Sequence, residues 1–544
     1  MRISRWKAAT VVAAVAASLA TTGVSWGAPA PVDGLPTSGS NTPTMEAPPC
    51  APDEDPAVGC GLRIIGHNDI VGRANSFNLA KIGSCAYVTS AGRAEPGAAT
   101  PAALAGPTDG VAVLDAHDPT NPQLVSILQP QGGVDSGETV SAVDAGTRKV
   151  LVVGAYGGRK TVDALDSTYG PALEIYDVSG DCTQPIHTAT IYWPDNAHNL
   201  TLNPTATRVY GTRYAAEPKA TAATAGNALL GLGPVLASSP VPVTDVMVMD
   251  ITDLANPRFA TELPLILPDG SPTECHKVEF DATETRMYCA SDKLSSEAQP
   301  DGREPPYSVW PAAGPTIWDV SEISEGKPNP VAHFVGQSPV KGQGGHHAVP
   351  MTATDSKGQQ RRYVVAANEL AFTCDMAAYP RIWDITDEAH PTVVSELHLP
   401  ASDNCSGNHY NNVDNRENTT MALVGWIDAG FRVFDVRDPV HPRPLAFFKP
   451  GSGCYSIAYL DEALGYIWFA CEGGFYVADL APAARASMDL PSRPPSAPTG
   501  LSSQAWSVRS TFAAAAPASG LGQAAVGVVC WLPATSAPRT ISGP

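Results

Sequence analysis

Four histidines stand at matching places in the chain: His198 in "AHNL", His276 in "CHKV", His347 in "HHAV" and His409 in "NHYN", with His346 next to the third. Imidazole nitrogen is a ligand for Zn, Cu, Fe and Ni, and several imidazoles on one ion can leave a coordination position open for chemistry. A single histidine in such a place is ordinarily a hydrogen-bonded turn or core residue. Four at equivalent offsets, in a chain with 12 His, ask for a common cause. Four carboxylates recur in a second set of turns: Asp292 in "ASDK", Glu369 in "ANEL", Asp428 in "WIDAG" and Glu472 in "CEGG". A metal-bound imidazole usually gives its other N–H to a carboxylate or carbonyl, so these are candidate partners of the histidines or catalytic bases. Glu369, Asp428 and Glu472 are the expected catalytic set, and Trp426, Tyr410 and Tyr455 are aromatic candidates for the walls of the site.

The elements that would gather these residues are read from a repeat. An apolar, alternating run ending in Asp occurs as "VAVLDAHDPTNP" (Val111–Pro122), "LEIYDVSGD" (Leu173–Asp181) and "VMVMDITDLANP" (Val246–Pro257). It returns as "TIWDVSEIS" (Thr316–Ser324), "RIWDITDEAHP" (Arg381–Pro391), "FRVFDVRDPVHP" (Phe431–Pro442) and "FYVADL" (Phe475–Leu480). Alternation with β-branched and aromatic residues marks strands, and Asp-x-x-Asn/His-Pro marks the turn that follows. Upstream lies a second recurrent hairpin, seen in "HNLTLNPTATRVYGT" from His198, "HKVEFDATETRMYCA" from His276 and "TVSAVDAGTRKVLVV" from Thr139. Each repeat thus supplies about four strands, the content of one propeller blade.

The fold expected is all-β: one seven-bladed β-propeller over residues 60–480, with "GLRIIG" (Gly61–Gly66) supplying the missing outer strand of the last blade and closing the ring. The innermost strands line the central channel, so His198, His276, His347 and His409 would converge near the axis. The 48 Gly and 51 Pro among 544 residues fit a chain of short strands and turns and argue against long helices. Residues 31–59 read as a Pro/Ser/Thr-rich leader and 481–544 as an Ala/Pro/Ser-rich disordered tail.

Residues 1–30 read as a signal peptide: Arg2, Arg5 and Lys7 precede an alanine-rich apolar run too short to span a membrane, followed by small residues near Gly27–Ala30. The protein is therefore expected to be secreted or extracytoplasmic, where disulfides form. Cys275/Cys289 and Cys454/Cys471 each flank an expected hairpin; Cys50/Cys60 and Cys374/Cys405 are further plausible partners, and Cys530 is left over. The formal charge of −20 opposes binding to a polyanion, so nucleic acid is excluded as a main partner. No GxSxG elbow, P-loop, HExxH or CxxC occurs.

The "VAVLD", "VMVMD" and "RVFDVRDP" copies resemble the LVIVD-repeat proteins, secreted or surface β-propellers with no single activity to transfer. A four-His iron site in a propeller is also similar to that of the carotenoid-cleaving oxygenases, and copper-dependent thiol oxidases related to selenium-binding proteins use His ligands in a propeller; both are likenesses of architecture. The expectation for function is a metal-dependent oxidoreductase acting on a small molecule, with Cu or Fe favoured and Zn possible. A non-catalytic extracellular binding scaffold is the alternative, and a metal-assisted hydrolase or lactonase a third.

Overall fold

The computed structural model describes residues 50, 52, 54–90, 109–129, 137–154, 172–192, 199–212, 245–270, 272, 273, 275–291, 314–338, 345–355, 357–368, 379–399, 407–427, 429–451 and 453–493. Their strands make seven antiparallel sheets, one for each repeat. Blade one is Ser76–Ile82, Cys85–Ser90, Val111–Asp115 and Gln123–Leu128; blade two is Val140–Ala145, Arg148–Gly154, Ala172–Asp177 and Ile186–Tyr192. Blade three begins at Asn199, blade four at Val278, blade five at Ala348, blade six at Asn408 and blade seven at Tyr459. The fold expected from the sequence, a seven-bladed propeller, is the fold observed.

The ring closes as the repeat implies. Leu62–Asn68 pairs antiparallel with Gly474–Leu480 and becomes the outer strand of blade seven. Two residues earlier, Gly59–Cys60 pairs with Arg443–Phe448 as a fifth strand on blade six. The N-terminal strands thus tie blade six to blade seven.

Local chemistry explains the repeat. The Asp ending the third strand turns its carboxylate back onto the amide two residues on: Asp115 accepts from His117, Asp177 from Ser179, Asp250 from Thr252, Asp319 from Ser321 and Asp384 from Thr386, at 2.8–2.9 Å. This side-chain turn stops the strand where the chain must reverse. The first hairpins reuse one turn: Asn203 Oδ1 accepts from the amides of Thr207 and Arg208, and Asp281 Oδ1 from those of Thr285 and Arg286. Every blade carries a register shift between its third and fourth strands, counted from the axis, which adds local twist. Neighbouring blades meet closely enough to require glycine at Gly336, where a Cβ would lie 1.9 Å from the carbonyl oxygen of Glu388. Between the sheets lie seven apolar clusters, the largest joining blades six and seven through Leu423, Val433, Ile467 and Phe469.

The ordered chain runs past the expected boundary at residue 480: Pro482–Ser487 forms a helix with Pro at its first position, where the missing N–H costs nothing; residues 494–544 lie outside the described residues. Ala484 and Met488 pack into the blade six–seven core, and Arg485 binds Asp479 at 3.0 Å. Disulfides join Cys50–Cys60, Cys275–Cys289 and Cys454–Cys471, as the spacing suggested. A fourth, Cys85–Cys182, links blade one to blade two across 97 residues. Cys374, Cys405, Cys530 and residues 1–30 lie outside the described residues. The four disulfides among the described residues are consistent with an extracytoplasmic protein. Among the described residues, no helix is long and apolar enough to cross a membrane.

Candidate metal centre on the propeller axis

Strand register fixes which residues face one another across the axis. In blades one to six the recurring Asp pairs with a residue of the second strand; the third residue beyond that one pairs with Leu79, Val140, Leu200, Val278, Ala348 or Asn411. Two positions before these stand Phe77, Glu138, His198, His276, His346 and His409. In blade seven the ladder begins only at the Tyr459–Trp468 pair, and the ring that meets the layer is that of Tyr455, 4.8 Å from Phe77 and 5.5 Å from His409. Among the described residues, one layer of equivalent positions therefore holds Glu138, His276, His346 and His409.

Within it, Glu138, His346 and His409 place ligand atoms within 4.8 Å of one another. The Nε2 of His409 lies 3.4 Å from Glu138 Oε1, while Nε2 of His276 and of His346 each lie 3.7 Å from Oε2. The rings of His276 and His346 are 3.9 Å apart, and those of His346 and His409 4.1 Å. All four side chains are buried, the three imidazoles at 0% exposure. Burial pushes the His346 imidazole down to about 3, with the neighbouring His409 adding to the effect. It is therefore a neutral donor at ordinary pH.

The surrounding polar groups orient the cluster. Glu138 Oε2 accepts from Asn199 Nδ2 and from the Tyr410 hydroxyl, each at 3.0 Å, and Asn199 Nδ2 also donates to the Tyr410 oxygen at 2.7 Å. Asn78 Nδ2 donates to the Glu138 carbonyl at 2.9 Å. The hydrogen bond between His409 Nδ1 and the Tyr455 carbonyl, 2.9 Å long, must carry the proton on Nδ1. Nε2 of His409 is thereby directed at a Glu138 carboxylate oxygen, 3.4 Å away. A cation shared by that nitrogen and the carboxylate, a proton or a metal ion, would hold the two together.

The expected site residues fall as follows. His276 and His409 are in the layer. In blade five the layer residue is His346, the adjacent candidate; His347 lies one step along, with Nε2 2.8 Å from Glu279 Oε1. Glu279 in turn binds Arg416 at 2.6 Å. Glu472 acts at one remove, accepting from the Tyr455 hydroxyl at 3.1 Å and from the Gly453 amide at 3.3 Å. His198, Asp292, Glu369 and Asp428 lie outside the described residues. Tyr410 reaches Glu138 directly. Trp426 is buried among core residues of blades five and six.

Sequence reasoning missed Glu138, Asn199 and Lys277. Glu138 had a legible signal: the hairpin arginines Arg148, Arg208 and Arg286 each follow Glu138, His198 and His276 by ten positions. Lys277 is buried beside the cluster, its ammonium donating to the Leu200 carbonyl and Thr201 Oγ1 at 3.1 Å and to Asn199 Oδ1 at 3.4 Å.

Fold and site together define a class: a seven-bladed β-propeller with a buried carboxylate–imidazole cluster on its axis. No protein-family model and no curated protein matches the sequence. Solved structures with a similar fold include the periplasmic gluconolactonase PpgL of Pseudomonas aeruginosa, 11% identical, covering 68% of this chain and 87% of that one with a TM-score of 0.44. Hydrazine synthase of Kuenenia stuttgartiensis is 11% identical over 74% of this chain and 95% of that one, TM-score 0.41. The β-propeller domain of Myceliophteria thermophila Cps50 (Swd1) is 8% identical over 75% and 96%, TM-score 0.43. At this distance nothing about activity passes from these proteins to this one.

Proposed function

We propose that the axial cluster binds a transition-metal ion and that the protein is an exported metal-dependent oxidoreductase, with Cu or Fe as the ion and Glu138, His276, His346 and His409 as its ligands. The observation that carries this reading is the convergence of Glu138, His346 and His409 ligand atoms within 4.8 Å of one another, with His409 Nε2 3.4 Å from Glu138 Oε1, in a fully buried layer. A thiolate-free set of imidazoles with one carboxylate suits Fe, Cu and Zn; of these, Fe and Cu change oxidation state. His198 precedes Asn199 by one residue, and its place as a further ligand rests on sequence spacing alone. The repeated strand motif supports the likeness to LVIVD-repeat proteins, and the disulfides support export.

A second reading has its own support. The complete burial of the three imidazoles suits a structural ion that pins blades two, four, five and six together in a non-catalytic extracellular scaffold. Electron paramagnetic resonance and redox titration of the metal-loaded protein separate the two. A reversible Cu or Fe couple supports the oxidoreductase. Zn bound with no redox response would sink it and leave a structural or hydrolytic ion.

A further inference from the structure

The axial layer is not filled alike all round. Blades two, four, five and six present Glu138, His276, His346 and His409, whereas blade one presents Phe77 and blade seven the ring of Tyr455. The Ser456 hydroxyl turns to its own blade and accepts from the Ala470 amide at 2.7 Å. Phe77 is 1% exposed; its ring stacks on Tyr455 at 4.8 Å and meets the His409 ring edge-on at 5.2 Å. Phe77, Tyr455 and Ile427 form a small apolar cluster of their own.

This wall is held firmly. At Gly453 a Cβ would lie 2.5 Å from atoms of the Tyr455 ring, so glycine is what lets the ring fold back there. Glu472 accepts the Tyr455 hydroxyl proton, and the Cys454–Cys471 disulfide ties down the same segment.

Resting on the metal-centre reading above, we propose that the sector between blades seven and one is the open coordination side of the ion, and that it takes a small, uncharged, weakly polar molecule of diatomic size. Among the described residues the donors converge from blades two to six, leaving the aromatic side without a protein ligand. An anion or a strongly polar substrate there loses its hydration against Phe77 and the Tyr455 ring. A small neutral molecule with one donor lone pair loses little and gains the metal.

The test loads the full-length protein with Fe(II) and uses nitric oxide as probe, reading the ferrous–nitrosyl resonance alongside iron content. Wild type is expected to hold one iron and form one adduct per iron. Phe77→His is expected to keep its iron while nitric oxide affinity falls at least tenfold, because the new imidazole takes the open position. Phe77→Leu is expected to keep both. Undiminished nitric oxide binding by iron-loaded Phe77→His overturns the sector assignment alone, and a wild type that holds no iron, copper or zinc overturns the metal-centre reading and this inference with it. Should Phe77→His not fold, Phe77→Ala serves instead: it is expected to bind tert-butyl isocyanide at least tenfold more tightly than wild type, and equal affinity overturns the assignment.

Discussion

The carbonyl of Tyr455 takes the Nδ1 proton of His409 at 2.9 Å, and so turns the basic nitrogen of that ring toward Glu138. A backbone carbonyl in blade seven thereby sets the tautomer of a side chain in blade six.

The juxtaposition gives Glu138→Gln an effect of opposite sign on binding and on fold. The amide loses the anionic oxygen, so transition-metal affinity is expected to fall at least 100-fold. Its NH2 can donate to His409 Nε2, so the metal-free variant is expected to melt no lower than metal-free wild type. Isothermal titration and calorimetric melting check the two signs; a variant that binds metal as wild type does contradicts the ligand assignment.

Asn199 and Tyr410 both donate to Glu138 Oε2. Tyr410→Phe removes one donor and keeps the ring, and hydrogen-bond partners of ligands are typically worth 10–100-fold in affinity. The expected result is about a tenfold weaker metal complex with unchanged stoichiometry, measured by competition with a chelator.

The two adjacent histidines of blade five are expected to separate. His346→Ala should lose metal affinity by at least 100-fold, while His347→Ala should retain the metal. The latter strips a hydrogen bond from buried Glu279 and is expected to lower unfolding free energy by roughly 1–3 kcal/mol. Equal metal loss in both variants would contradict the register.

Glu279 supplies a pH signature. Burial alone raises its carboxyl, but Arg416, His347 and Lys277 outweigh burial and hold it well below the ordinary value of 4.5. A depressed folded-state value means the unfolded chain takes up the proton first as pH falls. The stabilisation is therefore complete above about pH 4.5 and is lost progressively below it. Arg416→Met is expected to cost on the order of 1–3 kcal/mol at pH 7, with the difference from wild type shrinking below pH 4 in denaturant titrations.

Much of this architecture was legible in the sequence because a propeller repeats its local chemistry. The strand-ending Asp at 115, 177, 250, 319 and 384 makes the same side-chain turn each time, and Gly61–Gly66 was recognisable as the missing outer strand. The site was legible where the first hairpin keeps its length, as at His276. In blade five that hairpin is longer, running out to the Thr354–Gln360 pair, so spacing from the hairpin gives no guide; the local pattern His-x-apolar matches His347-Ala-Val, while the ladder places His346 in the layer. Glu138 carries a carboxylate where blades four to six carry an imidazole, so residue type hides its equivalence although it stands ten residues before its hairpin arginine, as His276 does. The Glu279–Arg416 pair joins residues 137 apart in sequence, and no local pattern announces such a contact.

Elemental analysis of the purified full-length protein tests the axial metal site most directly, for wild type and for Glu138→Gln, His276→Ala and His346→Ala. One equivalent of Cu or Fe per wild-type chain is expected, and well under half an equivalent in each variant. A wild-type protein that carries no transition metal, and takes up none on incubation with Cu(II) or Fe(II), would rule the site out.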